Sequence, residues 1–472
     1  MEYKVLTEDD IQFFQDLVGK ENVQLSEFEI YASDATEKLQ FFPEIVLKPN
    51  SSEEVSEIVK HCNRELLPIT PRGAGTGLAG GALPIRGGVL LSMENMNRIL
   101  EIDTRNFQTT VQAGVVNYKL QQALFLENLF FPPDPSSWQT SQIGGNIATN
   151  AGGPKAVKYG VTANYVLNLE VVLPEGQIIW TGANTLKNST GINLTQLFVG
   201  SEGTLGIITK AVLKVLPQPQ FDISLLVSFK QLHQACDAVS KLYFAGLNPA
   251  ALELIDKRSA QITVDYLEQN SELEGLNKSL FDEYEAHLLI MFDGDSQESV
   301  WASAEKAAHA LLSFDIAEIM VADTETNKER IWKIRRKLSE IVKMNGFTIE
   351  EDTVVPRANL AKLVQKTHEL AGENHFEAVC YGHAGDGNLH IRINHPKYKN
   401  SYNVPEIQSI LEELFKIVKD LGGTISGEHG IGLVQKPFLP VVFSQANLDL
   451  QKSIKQTLDP RNIMNPGKLF FS

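Results

Sequence analysis

Apolar positions along the chain fall into a few clear rhythms. Val55, Ile58, Val59, Cys62 and Leu66 line one face of a helix predicted over residues 51–66, and Ser51 with Glu54 three positions later supplies a capping box. The run LLPITPRG reads as a short strand entering a loop. Residues 89–92, 109–113 and 167–173 read as further strands, the last ending at Pro174-Glu175-Gly176, a turn that leads into QIIW. Beyond Pro217 and Pro219 the helical period dominates. Helices are predicted over 229–245, 299–313 and 328–344, the last carrying Ile331, Ile334, Leu338 and Ile341 at helical spacing. The two prolines place a domain boundary near 217–220.

Glycine punctuates this pattern unevenly, clustering around Gly73–Gly88, Gly144–Gly160 and Gly200–Gly206, and again around Gly382–Gly387 and Gly422–Gly432. The stretch PRGAGTGLAGG holds five glycines in eleven positions. Such a loop lets several backbone N–H groups converge on one anion. It lacks the Gly-Lys-Ser/Thr of a P-loop and breaks the dinucleotide fingerprint at its last glycine, so alone it serves equally as a flexible surface loop. PPDPSSWQTSQIGGNIATNAGG and VGSEGTLGIIT repeat the small polar chemistry twice more. Three such loops in one half of the chain point to a long cofactor laid across several connections.

Composition narrows the field. The 472 residues allow about three units or two large ones. With 43% hydrophobic and 21% charged residues the chain has a globular balance. Its formal net charge of −16 disfavours a general nucleic-acid binder. Cys62, Cys236 and Cys380 are too scattered for a disulfide framework. No apolar run reaches the ~20 residues of a membrane span, and MEYKVLTEDDIQFF lacks a secretory pattern. The expectation is a cytoplasmic protein with no transmembrane segment, with membrane contact only at the periphery.

The late stretch AVCYGHAGDGNLHIRIN flanks Asp-Gly with strand-like runs, a hairpin signal. If Asp386 and Gly387 are the two central turn residues, His383 faces His390 with Cβ atoms roughly 4.5–5.5 Å apart; a longer loop shifts that register. GTISGEHGIGL then offers Glu428 beside His429 between glycines. Two histidines and a carboxylate leave coordination positions open, as catalytic metal sites do.

The three glycine-rich loops, the HAGDGNLH and GEHG segments and the closing LDPRNIMNPGKLF together resemble the FAD-linked D-2-hydroxyacid dehydrogenases. These comprise D-lactate dehydrogenases, the glycolate oxidase flavin subunit and D-2-hydroxyglutarate dehydrogenases, a branch of the vanillyl-alcohol-oxidase/p-cresol-methylhydroxylase superfamily. The resemblance spans nearly the whole chain. It implies an α+β fold with an FAD-binding domain over 1–217 and a substrate-binding cap domain, an antiparallel sheet with helices, over 218–425. Residues 426–472 would pack back on the FAD domain.

By that resemblance Pro71, Arg72, Gly73, Ala74, Gly75, Thr76 and Gly77 cradle the FAD diphosphate. Asp134, Ser141, Gly144, Gly145, Asn146, Asn150, Gly203, Ile207 and Asn465 complete the flavin site. Thr76 stands where some relatives attach flavin through histidine, which implies non-covalent FAD. His383, His390 and Glu428 match ligands of a divalent metal (zinc or manganese), His429 matches the catalytic base, and Arg335 matches the arginine that binds the substrate carboxylate.

The 2-hydroxyglutarate subtype is matched less well. Ser339 replaces a threonine, Glu350 a lysine and Arg392 an asparagine; Arg335, Ser339 and Arg392 are the candidate substrate-binding residues, and although Arg392 offers a replacement for the lost lysine, Glu350 weakens a distal-carboxylate site, so the expected substrate is a short 2-hydroxyacid, D-lactate or glycolate. Electrons would pass to a separate acceptor: a quinone, a cytochrome, an electron-transferring flavoprotein or an iron–sulfur protein. A homodimer is compatible with the sequence. Competing readings are a D-2-hydroxyglutarate dehydrogenase, a non-redox FAD transferase similar to alkyl-dihydroxyacetonephosphate synthase, and a non-catalytic flavoprotein subunit.

Overall fold

A computed structural model describes residues 2–36, 39–273, 277–398 and 404–470. The chain forms two units. One contains everything up to Gly152, Val161–Gln218 and the chain from Glu428 on; the other contains Gly153–Gly160 and Pro219–Gly427. Among the described residues no helix is long and apolar enough to cross a membrane.

The first unit carries a four-stranded sheet in the order Val23–Gln24, Ile45–Leu47, Val89–Ser92, Ile69–Arg72. Its last three strands run parallel and are almost wholly buried, the setting in which parallel strands occur. A second, antiparallel sheet follows the order Ile99–Asp103, Gln108–Gln112, Ile207–Lys214, Val166–Val172, Ile178–Trp180. Helix Ser52–Glu65 starts at the expected cap, with Ser51 Oγ accepting from Glu54 N. The Glu54 carboxylate accepts from Asn50 N at 2.8 Å, one residue before the position a closed capping box requires.

The second unit is built on a seven-stranded antiparallel sheet. Its order is Met320–Ala322, Phe221–Phe229, Ala286–Gly294, Ala251–Asp256, Glu377–His383, Asn388–Asn394, Ile349–Val354. Helix Glu325–Met344 packs Ile331, Ile334, Leu338 and Ile341 into one core with Leu226, Leu289, Val379 and Tyr381. The mixed helix-and-sheet class is the expected one.

Three local expectations change. Phe229 closes a strand and pairs with Ala286, so the following helix begins only at Leu232. Residues 153–160 leave the glycine-rich half for the second unit, because Asp293 takes both the Lys158 ammonium and the Tyr159 hydroxyl (2.8 Å). The hairpin has a four-residue loop, Ala384–Gly387, in place of a two-residue turn, so His390 faces Tyr381 and not His383. Neighbouring strands hold that longer loop. Gly385 N donates to Leu252 O, and Val355 N donates to the carbonyl of Gly387, where a Cβ would sit 1.9 Å from Val355 O. A shift of two residues preserves the side-chain face, so both histidines still project from the same side of the sheet.

Candidate active site

In the first unit the glycine loops converge. A Cβ on Gly203 would lie 2.4 Å from Pro71 Cγ, and one on Gly73 would lie 3.4 Å from Gln142 Oε1. Asn465 ties the closing segment to the same place, its Nδ2 donating to Gly81 O at 2.9 Å and to Glu202 O at 2.8 Å. Within this cluster a Cβ on Gly77 or on Gly145 would meet nothing within 4 Å. Beside that open space the buried Ser141 Oγ, Gln142 Oε1 and Asn146 Nδ2 have no hydrogen-bond partner among the described residues. Each such orphan costs about 1–3 kcal/mol unless a ligand or water completes it. Open glycine faces beside orphaned donors and acceptors fit a polar cofactor such as FAD.

The other expected flavin residues divide by role. Arg72 directs its guanidinium away into the fold, Nη2 donating to Ile30 O (2.9 Å) and Ser33 O (2.8 Å). Gly75, at φ +72°, makes room for it, since a Cβ there would lie 2.0 Å from Arg72 Nη2. Arg72 therefore shapes the loop from beneath. Gly144 presses against Ala113, with its N–H on the Ala113 carbonyl at 2.7 Å. Asn150 caps its helix in the left-handed region and accepts from Ala163 N at 2.8 Å. Ile207 starts a buried strand, Asp134 and Thr76 are half-buried, and Ala74 is exposed. Gln142 is the residue that sequence reading passed over, although its amide stands in the same small polar run.

In the second unit the register aligns Glu253 with His383, Tyr381 with His390, His390 with Asp352 and Arg392 with Glu350, all on one face of the sheet. Glu253 is wholly buried. Its Oε1 lies 2.7 Å from His383 Nδ1 and its Oε2 accepts from Arg335 Nε at 2.6 Å. Burial pushes this carboxyl up, but the charges of His383 and Arg335 outweigh it and hold the pKa down at about 2. The carboxylate thus holds the ring at Nδ1 and leaves Nε2 of His383 turned away from it. The His383 and His390 rings lie 5.5 Å apart at 80°, with one nitrogen of each within 4.8 Å of the other. Glu253, an acid flanked by Leu252 and Leu254 in the buried strand ALELID, was missed as a site residue; an acid between two leucines was itself the available signal.

Asp352 was missed as well. Its Oδ1 accepts from Asn388 Nδ2 (2.6 Å), and its Oδ2 accepts from Gly427 N (2.8 Å) and Ser426 Oγ (3.1 Å). Glu428 and His429 follow Gly427 in the chain and belong to the first unit. There a Cβ on Gly152 would lie 2.8 Å from Glu428 Oε2. Past His429, Ile431 N and Gly432 N both donate to the buried Glu202 carboxylate at 2.7 Å. Within the first unit, Glu202 thus holds the backbone just past His429.

The two arginines of the second unit differ sharply. On helix Glu325–Met344, Arg335 is buried while its neighbours Arg336 and Lys337 lie outside, paired with Glu329 and Glu340. Arg335 spends only Nε, on Glu253; its two terminal nitrogens make no hydrogen bond among the described residues. Arg392 is engaged at every nitrogen. Nε donates to the Tyr381 hydroxyl (2.7 Å), Nη1 to Phe347 O (3.1 Å), and Nη2 to Ser339 Oγ (2.8 Å) and the Glu350 carboxylate. Ser339 thus serves Arg392, one helical turn beyond Arg335.

Residues 218–469 match the family model for FAD linked oxidases, C-terminal domain, and residues 43–182 match the FAD binding domain model. The chain is 40% identical over 442 residues to the glycolate oxidase subunit GlcD of Bacillus subtilis, covering 93% of this chain and 92% of that protein. It is 38% identical over 433 residues to a D-lactate dehydrogenase of Anaerostipes hadrus, covering 91% and 90%. Among solved structures, p-cresol methylhydroxylase superposes with a TM-score of 0.74 at 18% identity, covering 99% of this chain and 98% of that one, a likeness of fold.

Proposed function

Because the chain belongs to the FAD-linked oxidases, an oxidoreductase family that includes glycolate oxidase subunits and D-lactate dehydrogenases, we propose that it oxidises a short 2-hydroxymonocarboxylate, D-lactate or glycolate, to the 2-oxoacid. The contrast between the arginines carries this reading. Arg335 presents an open planar fork suited to one carboxylate, whereas Arg392, the candidate for a second carboxylate, is already occupied by Glu350. One open guanidinium suits a monocarboxylate.

Each residue then has a task. The Arg335 terminal nitrogens hold the substrate carboxylate and orient its Cα–H. His429 takes the hydroxyl proton, a transfer that typically contributes ~10²–10⁴-fold. His383, through the Nε2 that Glu253 leaves open, would hold a divalent cation together with His390 and Glu428. Such a cation lowers the pKa of a chelating hydroxyl. Ser141, Gln142 and Asn146 would complete the flavin, which supplies the hydride acceptor. Thr76 supports a flavin that stays non-covalent, so acid precipitation should leave the flavin in solution. The relative's designation as a subunit supports a separate electron acceptor.

The test is anaerobic titration of the holoenzyme with D-lactate, L-lactate, glycolate, D-malate and D-2-hydroxyglutarate while flavin absorbance is followed. Bleaching by D-lactate or glycolate, and not by the dicarboxylates, is the expected result. Bleaching by none of the five ends the proposal. Chelator added to the same assay tests the cation, and loss of bleaching that Zn²⁺ or Mn²⁺ restores is expected.

A further inference from the structure

We propose that Asp256, His368 and Cys380 form a separate divalent-cation site, on the face of the seven-stranded sheet opposite Glu253 and His383, suited to a thiophilic ion of the zinc class. Strands Ala251–Asp256 and Glu377–His383 pair Leu254 with Gly382 and Ile255 with Tyr381, which carries Asp256 to the side of Cys380. Ile255 and Tyr381 enter the core shared with helix Glu325–Met344, and one residue along each strand the side chains point the other way. On that other side helix Leu360–Glu373 packs on the strand Glu377–His383 and brings up His368. One ligand atom from each of the three residues lies within 4.8 Å of the other two.

The buried acid has no basic partner of its own. Asp256 is 3% exposed, and its hydrogen bonds come from neutral groups: Oδ1 accepts from Ser259 N (2.8 Å) and Ser259 Oγ (2.6 Å), and Oδ2 accepts from Cys380 N (2.6 Å). Among the described residues no lysine or arginine pairs with it, and buried charges are as a rule paired or bound to metal. Oδ2 carries one N–H and keeps a second lone pair. His368 is exposed and makes no hydrogen bond among the described residues, so its ring is available and gives an ion a way in. Cys380 is buried and forms no disulfide. One oxygen, one imidazole nitrogen and one sulfur are a donor set that zinc takes, with a fourth position for water. Tetrahedral bonds of these types hold ligand atoms roughly 3.3–3.8 Å apart, so a closure of about 1 Å, within reach of the exposed imidazole, completes the site. On binding, the Cys380 thiol gives its proton to solvent and the thiolate bonds the ion. The ion then ties a surface helix to the two strands whose other face carries Glu253 and His383.

The set His383, His390 and Glu428 contains no sulfur, so a sulfur signal separates the two cation sites and stands apart from whether any hydroxyacid reduces the flavin. The holoenzyme is titrated with Co²⁺, and difference spectra against the cobalt-free holoenzyme are followed for the thiolate-to-cobalt charge-transfer band in the near ultraviolet. The expected result is a band in the wild type that Zn²⁺ bleaches by displacing cobalt, and that is lost in His368→Ala and in Cys380→Ser. Cys380 is buried and its substitution may disturb the fold, whereas His368 lies on the surface of its helix, so His368→Ala is the deciding variant. Absence of the band from the wild type overturns the proposal, as does a band that survives His368→Ala.

Discussion

Two buried carboxylates, one in each unit, are held in opposite ways. In the first unit, Glu202 answers to backbone. Glu202 accepts from Ile431 and Gly432, Lys455 donates to the Thr204 and Met464 carbonyls as well as to Asp459, and Lys468 donates to Gly81 O. Burial holds the Lys468 ammonium down to about 7, against the pull of Glu202 and Asp34. In the second unit Glu253 answers to charge, pairing with His383 and Arg335, as Glu350 does with Arg392. Backbone-satisfied charge locks loops into shape and leaves neutral groups, Ser141, Gln142 and Asn146, to meet a ligand. Charge-paired residues leave chosen atoms on display, as with the terminal nitrogens of Arg335. In both units the unfilled valence marks the site better than the charge itself.

The largest expected effect falls on His429, beside the backbone that Glu202 holds. His429→Ala should lower the rate of flavin reduction by ~10²–10⁴-fold while flavin content stays at the wild-type level. Stopped-flow absorbance with the reconstituted variant measures both. Reduction at the wild-type rate would remove His429 from the role of base.

Glu253→Gln tests the charge-paired side, and its effect should be smaller and confined. The variant keeps the volume and loses the charge that fixes His383, so divalent-cation affinity should fall by about 10–100-fold with flavin binding unaltered. Unaltered cation affinity would count against His383 as a ligand. The same substitution has a pH signature. The Glu253 carboxyl is lowered from 4.5 to about 2 in the fold, so its contribution to stability is complete above about 4.5 and is lost as pH falls toward 2. Urea unfolding midpoints should therefore decline less steeply over that interval in the variant than in the wild type, and parallel slopes would refute the assignment.

How far these differences could be read in advance depends on the distance over which they are set. Local signals carried well: Ser51 caps its helix, and Gly77, in a loop, and Gly145, in the short helix Ile143–Thr149, belong to segments whose composition already suggested an anion cradle. The hairpin was visible from Asp-Gly, but its register was not, because Leu252 on one strand and Val355 just past the end of another fix the length of the loop. Arg335 and Arg392 looked alike as candidates for carboxylate binding. Only the partners brought by the Glu253 and Glu350 strands separate an open fork from a closed one, and that pairing joins residues 82 positions apart in one case and 42 in the other. Glu253 was legible as a misplaced acid, yet nothing local said which histidine it would hold.

The smallest effects sharpen the backbone-satisfied side. Ser141→Ala and Asn146→Ala each remove an orphaned group, and each should weaken flavin binding by roughly 0.5–1.5 kcal/mol, about twofold to tenfold, without loss of stability in the flavin-free protein. A neighbouring pair of glycines separates this from a packing defect. Gly144→Ala would bring a Cβ within 2.7 Å of Ala113 Cβ and should destabilise the fold with or without flavin. Gly145→Ala places its methyl in open space and should leave the melting temperature of the flavin-free protein unchanged while flavin dissociates faster. Fluorescence of released flavin and thermal melts of both forms measure the pair. If Gly145→Ala holds flavin as tightly as the wild type, the space beside Asn146 is not where the cofactor lies, and the orphaned amide must be completed by something else.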